Sequence, residues 1–443
     1  MLSFTNLNSI VMQFFYTLLS MLFLSIPQFM AAQPPKEVFI KAGKLFDSAK
    51  GVLVSNQIIQ VKGNVIENVG SNLTIPQGAE VIDLSAYTVL PGLIDAHVHL
   101  LYLESLKSDL STEGLKAVVM EGDALRALRA SARAKTFLEA GITTVKDLGN
   151  SGQYLDVALK RAINEGSVVG PRMFVSGPIL SSEGGQFPGV LYKHKHLAGE
   201  EYRIIKGQED AINAVRENIT YGADIIKICS NNTPNNTSLT IDEMKAIVTM
   251  AHRYGKKVTA HATDNRAVWE AVVAGVDGIE HGYEVADSTL KLMASKGIPL
   301  VPTDVSKKSL TKYLGAKDFQ GNQEEAIKGI LADQHDRLKR AIQHGVTIVA
   351  GSDMYIDMEE PQGNAAKDVL VSYHEAGMKP LEILKAATIN SSKFMGLENR
   401  LGVLKKGAWA DIIAVKGDLE ANFPETIFNV VFVMKNGKRY VGE

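Results

Sequence analysis

Three observations predict an α/β protein. Eight short apolar runs alternate with amphipathic helical runs through the middle of the chain, roughly residues 90–395. Both ends are instead rich in short β-type runs broken by turn signals. A histidine pair, a lysine, two single histidines and an aspartate sit at the C-terminal ends of five of the eight apolar runs. Together they predict a (β/α)8 TIM-type barrel with a small β-sandwich domain formed by both termini.

The elements follow in chain order. Residues 1–35 contain no charged side chain, residues 10–26 are almost wholly apolar, and Ala31-Ala32 precede Gln33-Pro-Pro-Lys36. This reads as a secretory signal over 1–32, cleaved near Ala32, which places the mature protein in the periplasm or outside the cell. Gln13 and Pro27 leave the run short for a membrane span, so none is expected in the mature chain. Residues 37–87 carry β-type runs at 38–41, 51–54, 58–61 and 65–66, punctuated by Gly63-Asn64 and Gly70-Ser-Asn72, and form the first part of the sandwich. The barrel spans 88–395, with strands at 93–97, 143–146, 172–176, 224–228, 257–261, 278–281, 299–302 and 347–350. Helical runs lie between them, among them 124–140, 209–221, 241–254 and 324–344. The run from Ile241 opens with the capping-box pattern Thr240-x-x-Glu243 and stops at Gly255. Residues 396–443 return to β-type runs at 410–415 and 430–434, then the Asn436-Gly437 turn and Tyr440-Val441, completing the sandwich.

Composition narrows the function. At 443 residues, 45% hydrophobic and 22% charged, the chain is ordinary globular material, enough for one large and one small domain. A formal net charge of −2 without a long basic block argues against nucleic acid as a partner. The single cysteine, Cys229, excludes an intrachain disulfide and a cysteine-based zinc site.

The chemistry gathers at the strand ends. In Asp95-Ala-His97-Val-His99 the two histidines are two residues apart on a strand, so both imidazoles reach the same side and one metal ion. Alone, such a pair is more often two surface or core histidines. His261 in Val258-Thr-Ala-His-Ala262 and His281 in Ile279-Glu-His-Gly282 read singly as core histidines, Asp353 in Ala350-Gly-Ser-Asp353 as a helix cap, and Lys227 as a snorkelling or salt-bridged lysine. Placed at strand ends one, four, five, six and eight they share one rim, where active sites of such barrels lie, and a metal site becomes the better reading.

These motifs resemble the amidohydrolase superfamily, in particular its imidazolonepropionase-related members and Xaa-Pro and Xaa-Arg dipeptidases. The resemblance covers nearly everything after residue 37. It rests on Leu90-Pro-Gly-Leu-Ile-Asp-Ala-His-Val-His99, Ala140-Gly-Ile-Thr-Thr-Val-Lys-Asp147, Gly170-Pro-Arg172, Gly222-Ala-Asp-Ile-Ile-Lys-Ile228, Ala260-His-Ala262, Gly278-Ile-Glu-His-Gly282, Gly351-Ser-Asp353 and Gly407-Ala-Trp-Ala-Asp-Ile412. It implies that His97, His99 and Asp353 bind a buried metal ion, and that Lys227, carboxylated by carbon dioxide, bridges to a second ion held by His261 and His281. The ions implied are two divalent cations, Zn2+ first among them. A buried lysine gives up its proton more readily, can then add carbon dioxide, and two cations stabilise the resulting anion. The implied activity is hydrolysis of a C–N amide bond, in a dipeptide or small N-acyl amino acid, by a metal-bridged hydroxide. Bound ions lower the pKa of water to roughly 7. Asp353 is the implied catalytic residue, taking the nucleophile's proton and passing it to the leaving nitrogen.

Substrate contacts are expected on the long loops after strand three (177–207) and strand seven (303–325). Gln186, in Glu183-Gly-Gly-Gln186, stands where related dipeptidases are expected to carry a histidine near the scissile carbonyl; it can donate a hydrogen bond but carries no charge. Tyr192, opening Tyr192-Lys-His-Lys-His196, is a candidate for holding a substrate carboxylate, against the blander reading of a solvated lid. After strand four, Ser230-Asn-Asn-Thr-Pro-Asn-Asn-Thr-Ser238 replaces the Ser-Gly-Gly stretch of the relatives, a departure that bears on peptide specificity. A cyclic amide, as in the imidazolone-opening relatives, or a lactone or ester is the alternative substrate; a non-catalytic scaffold is a third reading, opposed by all six ligand positions being filled. The sequence leaves homo-oligomerisation open.

Overall fold

The computed structural model describes residues 37–442 except 109, 188, 189, 234 and 318, so the expected export signal over 1–32 lies outside the described residues. No helix among the described residues is long and apolar enough to cross a membrane.

The chain opens with strands β1 (Glu37–Asp47), β2 (Val52–Lys62), β3 (Val65–Gly70) and β4 (Glu80–Pro91). The two runs expected at 51–54 and 58–61 are one strand, β2, which passes through Asn56 at φ 54° without breaking its pairing with β1. β4 was not expected. Its inward residues Ile82 and Leu84 alternate, but Ser85-Ala-Tyr87 then break the period where the β1–β4 ladder has a bulge. β4 runs into β5 (Leu93–Val98) with only Gly92 between, so the boundary expected at 87/88 falls inside a strand. A Cβ on Gly92 would lie 2.1 Å from Thr143 Oγ1, and only glycine fits there.

From β5 to β14 the strands pair in parallel. Those that matter for the site are β5, then, after the short β6 (Glu104–Ser105), β7 (Ile142–Asp147) and β8 (Arg172–Val175), paired in the order β5-β7-β8. A six-stranded sheet follows, built from β9 (Ile179–Ser181), β10 (Tyr202–Ile204), β11 (Ile226–Cys229), β12 (Val258–Ala262), β13 (Gly278–His281) and β14 (Leu300–Val301), in the order β10-β9-β11-β12-β13-β14. Asp224 N donates to Val175 O at 2.8 Å, linking β8 to the residues before β11. The run expected at 347–350 is too short a ladder to count as a strand, but Ile348 bridges Leu300 in parallel and Ala96 N donates to Ala350 O at 2.9 Å. Helices Gly122–Glu139, Leu155–Glu165, Gln208–Thr220, Ile241–Arg253, Asn265–Ala274, Asp287–Lys296, Gln323–Gln343 and Gln362–Glu375 alternate with the eight runs β5, β7, β8, β11, β12, β13, β14 and 347–350. Helix Ile241–Arg253 starts where the capping box predicts: Thr240 accepts from Glu243 N, and the Glu243 carboxylate accepts from Thr240 N. It buries Met244, Ile247, Val248 and Ala251, one helical face, against the strands.

The chain returns through β15 (Ile356–Asp357), β16 (Ile412–Val415), β17 (Val430–Lys435) and β18 (Lys438–Val441). One mixed seven-stranded sheet, ordered β18-β17-β16-β4-β1-β2-β3, joins the two ends of the chain by continuous hydrogen bonding. Its core of Val38, Ile40, Ile59, Ile66, Ile412 and Phe432 is separate from the apolar cluster around the parallel strands.

Candidate active site

β5 carries His97 and runs out just before His99, and strand alternation puts both rings on one side, centroids 5.2 Å apart. Each Nδ1 is engaged by a buried acceptor: Glu280 Oε2 lies 2.9 Å from His97 Nδ1, and Gly149 O accepts from His99 Nδ1 at 2.8 Å. That fixes the tautomer and leaves both Nε2 lone pairs facing inward. The two Nε2 atoms are 3.3 Å apart, and Asp353 Oδ1 lies 3.4 Å from one and 3.1 Å from the other. Ligands about 2.0–2.1 Å from a tetrahedral ion stand roughly 3.3–3.4 Å from one another. Asp353 Oδ1 is buried and carries no hydrogen bond of ordinary geometry. This donor set fits a divalent cation.

The backbone around Asp353 is built to deliver it. Asp353 sits at φ 50°, and its N–H donates to His97 O at 2.8 Å. A Cβ on Gly351 would meet His97 Cβ at 2.8 Å, so the close approach of this segment to β5 requires glycine. Asp95 Oδ1 accepts from the N–H groups of His97 and Ser352 and binds the two segments together; burial pushes its carboxyl up to about 7.

The remaining donors come from β11, β12 and β13. Lys227 on β11 is 2% exposed, with Nζ 3.4 Å from His97 Nε2. His261 on β12 and His281 at the end of β13 have ring centroids 4.5 Å apart. Thr303 Oγ1 donates to Pro302 O at 2.6 Å, and so accepts from His281 Nδ1 at 2.8 Å, with Tyr283 OH 3.2 Å from the same nitrogen. The Gln186 amide lies 3.0 Å from His261 Nε2. Any ion bound through that nitrogen must displace it.

Burial, with Lys227 and the neighbouring rings, drives His97 and His281 well below the usual histidine range and takes His261 to about 3, keeping all three neutral, the form that binds metal. His99 moves the other way: burial opposes its charge, but the Asp353 carboxylate beside it outweighs burial. Burial would likewise raise Asp353 and Glu280. His97, His99 and Lys227 hold Asp353 down, and Lys146 and Lys227 hold Glu280 down. Glu280 is fully buried, with Lys146 Nζ at 3.0 Å and Thr259 Oγ1 at 2.5 Å on its other oxygen. Burial takes the Lys146 ammonium, which also caps the Phe394 ring at 3.9 Å, down to about 8.

Sequence reasoning missed Glu280. Successive strand residues face opposite sides, so taking His281 as inward-facing sends Glu280 away. Both reach the site because His281 leaves the strand at φ 72°. Thr303 and Asp353 at the ends of their own runs share this left-handed conformation, at φ 59° and 50°.

His97, His99, Lys227, His261, His281 and Asp353 all line one cavity of about 340 Å³. Gln186 lines it too, with four tyrosines (102, 202, 283 and 355) and Asn150. Tyr192 does not. It is 82% exposed at the start of the turn Tyr192–Glu200, with the Lys195 ammonium 4.7 Å from its ring, because the 177–207 loop presents Tyr202 inward instead. The blander reading of this run, a solvated lid, fits its exposure.

The Amidohydrolase family model matches residues 88–440, and the chain belongs to that family of hydrolases acting on C–N bonds. Ochratoxinase from Aspergillus niger is 31% identical over 441 residues, covering 92% of this chain and 87% of that protein. Imidazolonepropionase from Deinococcus deserti is 24% identical over 380 residues, covering 80% and 84%. The crystal structure of a Xaa-Pro dipeptidase with methionine bound in its active site is similar at a TM-score of 0.79 and 28% identity, covering 92% of this chain and 100% of that one.

Proposed function

We propose that this protein hydrolyses the amide of a dipeptide or small N-acyl amino acid, with two divalent cations, Zn2+ first among them. His97, His99 and Asp353 would hold one ion, His261 and His281 the other, with Lys227, if carboxylated, as a ligand shared by both. One observation carries the reading: these six side chains line a single cavity, and His97 Nε2, His99 Nε2 and Asp353 Oδ1 stand at mutual distances of 3.1–3.4 Å. We read the eight parallel runs as a (β/α)8 barrel with its active site at the C-terminal rim, and the sheet from both termini as the smaller domain.

Ions bound there supply water activation near neutral pH and polarise the scissile carbonyl. The chain's own residues do the rest. Asp353, ionised beside His97 and His99, takes a proton from the attacking water and returns it to the leaving nitrogen. Glu280 and Gly149 O keep the two Nε2 atoms of β5 aimed inward, so no reorientation is needed at the moment of reaction. The four tyrosines support an aromatic or other apolar group beside the amide, since rings offer apolar walls with a polar tip. The names of the relatives, an ochratoxinase and a Xaa-Pro dipeptidase, support an amide substrate.

Elemental analysis of the wild type and Lys227→Ala, paired with a panel of dipeptides and N-acyl amino acids, tests the proposal. The expectation is about two zinc ions per chain, falling sharply in the variant, and turnover within the panel. One ion, unaffected by the loss of Lys227, would overturn the bridged pair and bring cyclic amides forward.

A further inference from the structure

We infer that the buried ion pair Arg126–Glu201 is a positioning device that sets one wall of the active-site cavity by stapling three of its loops together. Arg126 lies on helix Gly122–Glu139, is 3% exposed, and reaches the loops following β5, β7 and β9 at once. Its Nε donates to Leu101 O at 3.4 Å, its Nη2 to Asn150 O at 2.8 Å, and its Nη1 to Glu201 Oε1 at 2.5 Å. Glu201, also 3% exposed, accepts from Gly152 N through its other oxygen at 3.2 Å.

Every anchoring point is on, or next to, a residue of the cavity wall. Leu101 precedes Tyr102, Asn150 is itself in the wall, and Glu201 precedes Tyr202. The wall then closes on itself, with Asn150 Nδ2 3.4 Å from Tyr202 OH. Tyr202 lies flat on Gly185, where a Cβ would come within 2.6 Å of the ring, and so packs beside Gln186. The loop after β7 is wound around the guanidinium: Asn150 and Gly152 both take φ 53°, and a Cβ on Gly152 would sit 3.3 Å from Arg126 Nη1.

The side chain has to be arginine. Three acceptors lie in three directions, and a planar fork with five N–H donors satisfies them from one place, which a single ammonium cannot do. Truncation leaves a buried carboxylate and two carbonyls without their donor, so all three loops loosen together. Arg126 and Glu201 touch none of the six metal-site donors themselves; the one link is Gly149 O, next to Asn150, which accepts from His99 Nδ1, so the device acts first on where the substrate rests.

The part of this inference that concerns substrate rests on the amidase reading above; the stapling itself does not. The test compares wild type with Arg126→Met, Arg126→Lys and Glu201→Gln as full chains. Hydrogen exchange by mass spectrometry is followed over 99–103, 149–153 and 199–203, with bound metal, Tm and kinetics on the panel compound that wild type cleaves fastest. In Arg126→Met all three segments exchange faster together while β11 to β13 do not, metal content at saturating zinc is unchanged, and KM rises about tenfold with kcat within threefold. Arg126→Lys recovers part of the KM and Glu201→Gln falls between, which also covers a failure of the methionine variant to fold. Faster exchange in one segment only, or a lowered Tm with KM unchanged, overturns the inference. If wild type cleaves nothing in the panel, the amidase reading fails, and the exchange data alone decide the staple.

Discussion

The two halves of the donor set are held in different ways. On the β5 side, each histidine is locked by a buried oxygen acceptor: a fully buried carboxylate for His97, and for His99 a carbonyl in the loop after β7. On the β12–β13 side the partners are neutral, a hydroxyl pair on His281 Nδ1 and the Gln186 amide on His261 Nε2. The first half is rigid before any ion arrives, because turning either ring would leave a buried charge or a main-chain carbonyl unsatisfied. The second half can adjust, because its partners can rotate without stranding a charge.

The sharpest way to break this contrast is at Asp353, to which the proposal gives both a place in the rigid half and the proton. Asp353→Asn keeps an oxygen donor but cannot take a proton, so kcat should fall about 10²–10⁴-fold with most metal retained. A wild-type rate would remove Asp353 from catalysis. Next is Glu280→Gln, which should weaken metal binding about 10–100-fold in a chelator competition. It also strands the Lys146 ammonium and should cost about 3–5 kcal/mol of stability. Adding Lys146→Met should restore Tm but not affinity, and recovery of both would mean that Glu280 acts only on folding. Thr303→Val removes the acceptor on His281 Nδ1 and should weaken one of two ions by about tenfold or less, leaving the other in place in a stoichiometric titration. Loss of both ions would erase the distinction between the halves. Smallest is Gln186→Ala: metal content should not change, and KM on amide substrates should move by less than about tenfold. A drop in bound metal would make Gln186 part of the metal site.

Much of this was legible in local pattern. His97 and His99 share a side because a strand has period two, and that holds whatever the rest of the chain does. Helix Ile241–Arg253 begins at Thr240 because its cap is contained within four residues. Errors came where local pattern is silent or misleading. β4 hides its period behind a bulge, which exists only because β1 pairs beside it. The 347–350 run is β-like in sequence, yet is held by one bridge and a few backbone bonds to β5 and β14. Tyr192 looked like a substrate contact because its neighbours are basic, but the fold of the loop turned Tyr202 inward.

The sequence by itself determined which residue types stand at the strand ends, and so the chemistry on offer. It also determined, through period two and period 3.6, most of the elements that carry them. Only the tertiary structure decided which ring nitrogen each histidine presents and which wall the substrate meets. The reason is distance along the chain. Glu280 is 183 residues from His97, Ser352 is 257 from the Asp95 it binds, and Arg126 is 75 from Glu201. A tautomer is set by whichever acceptor packing brings to the far nitrogen, and no pattern within ten or twenty residues can encode that contact.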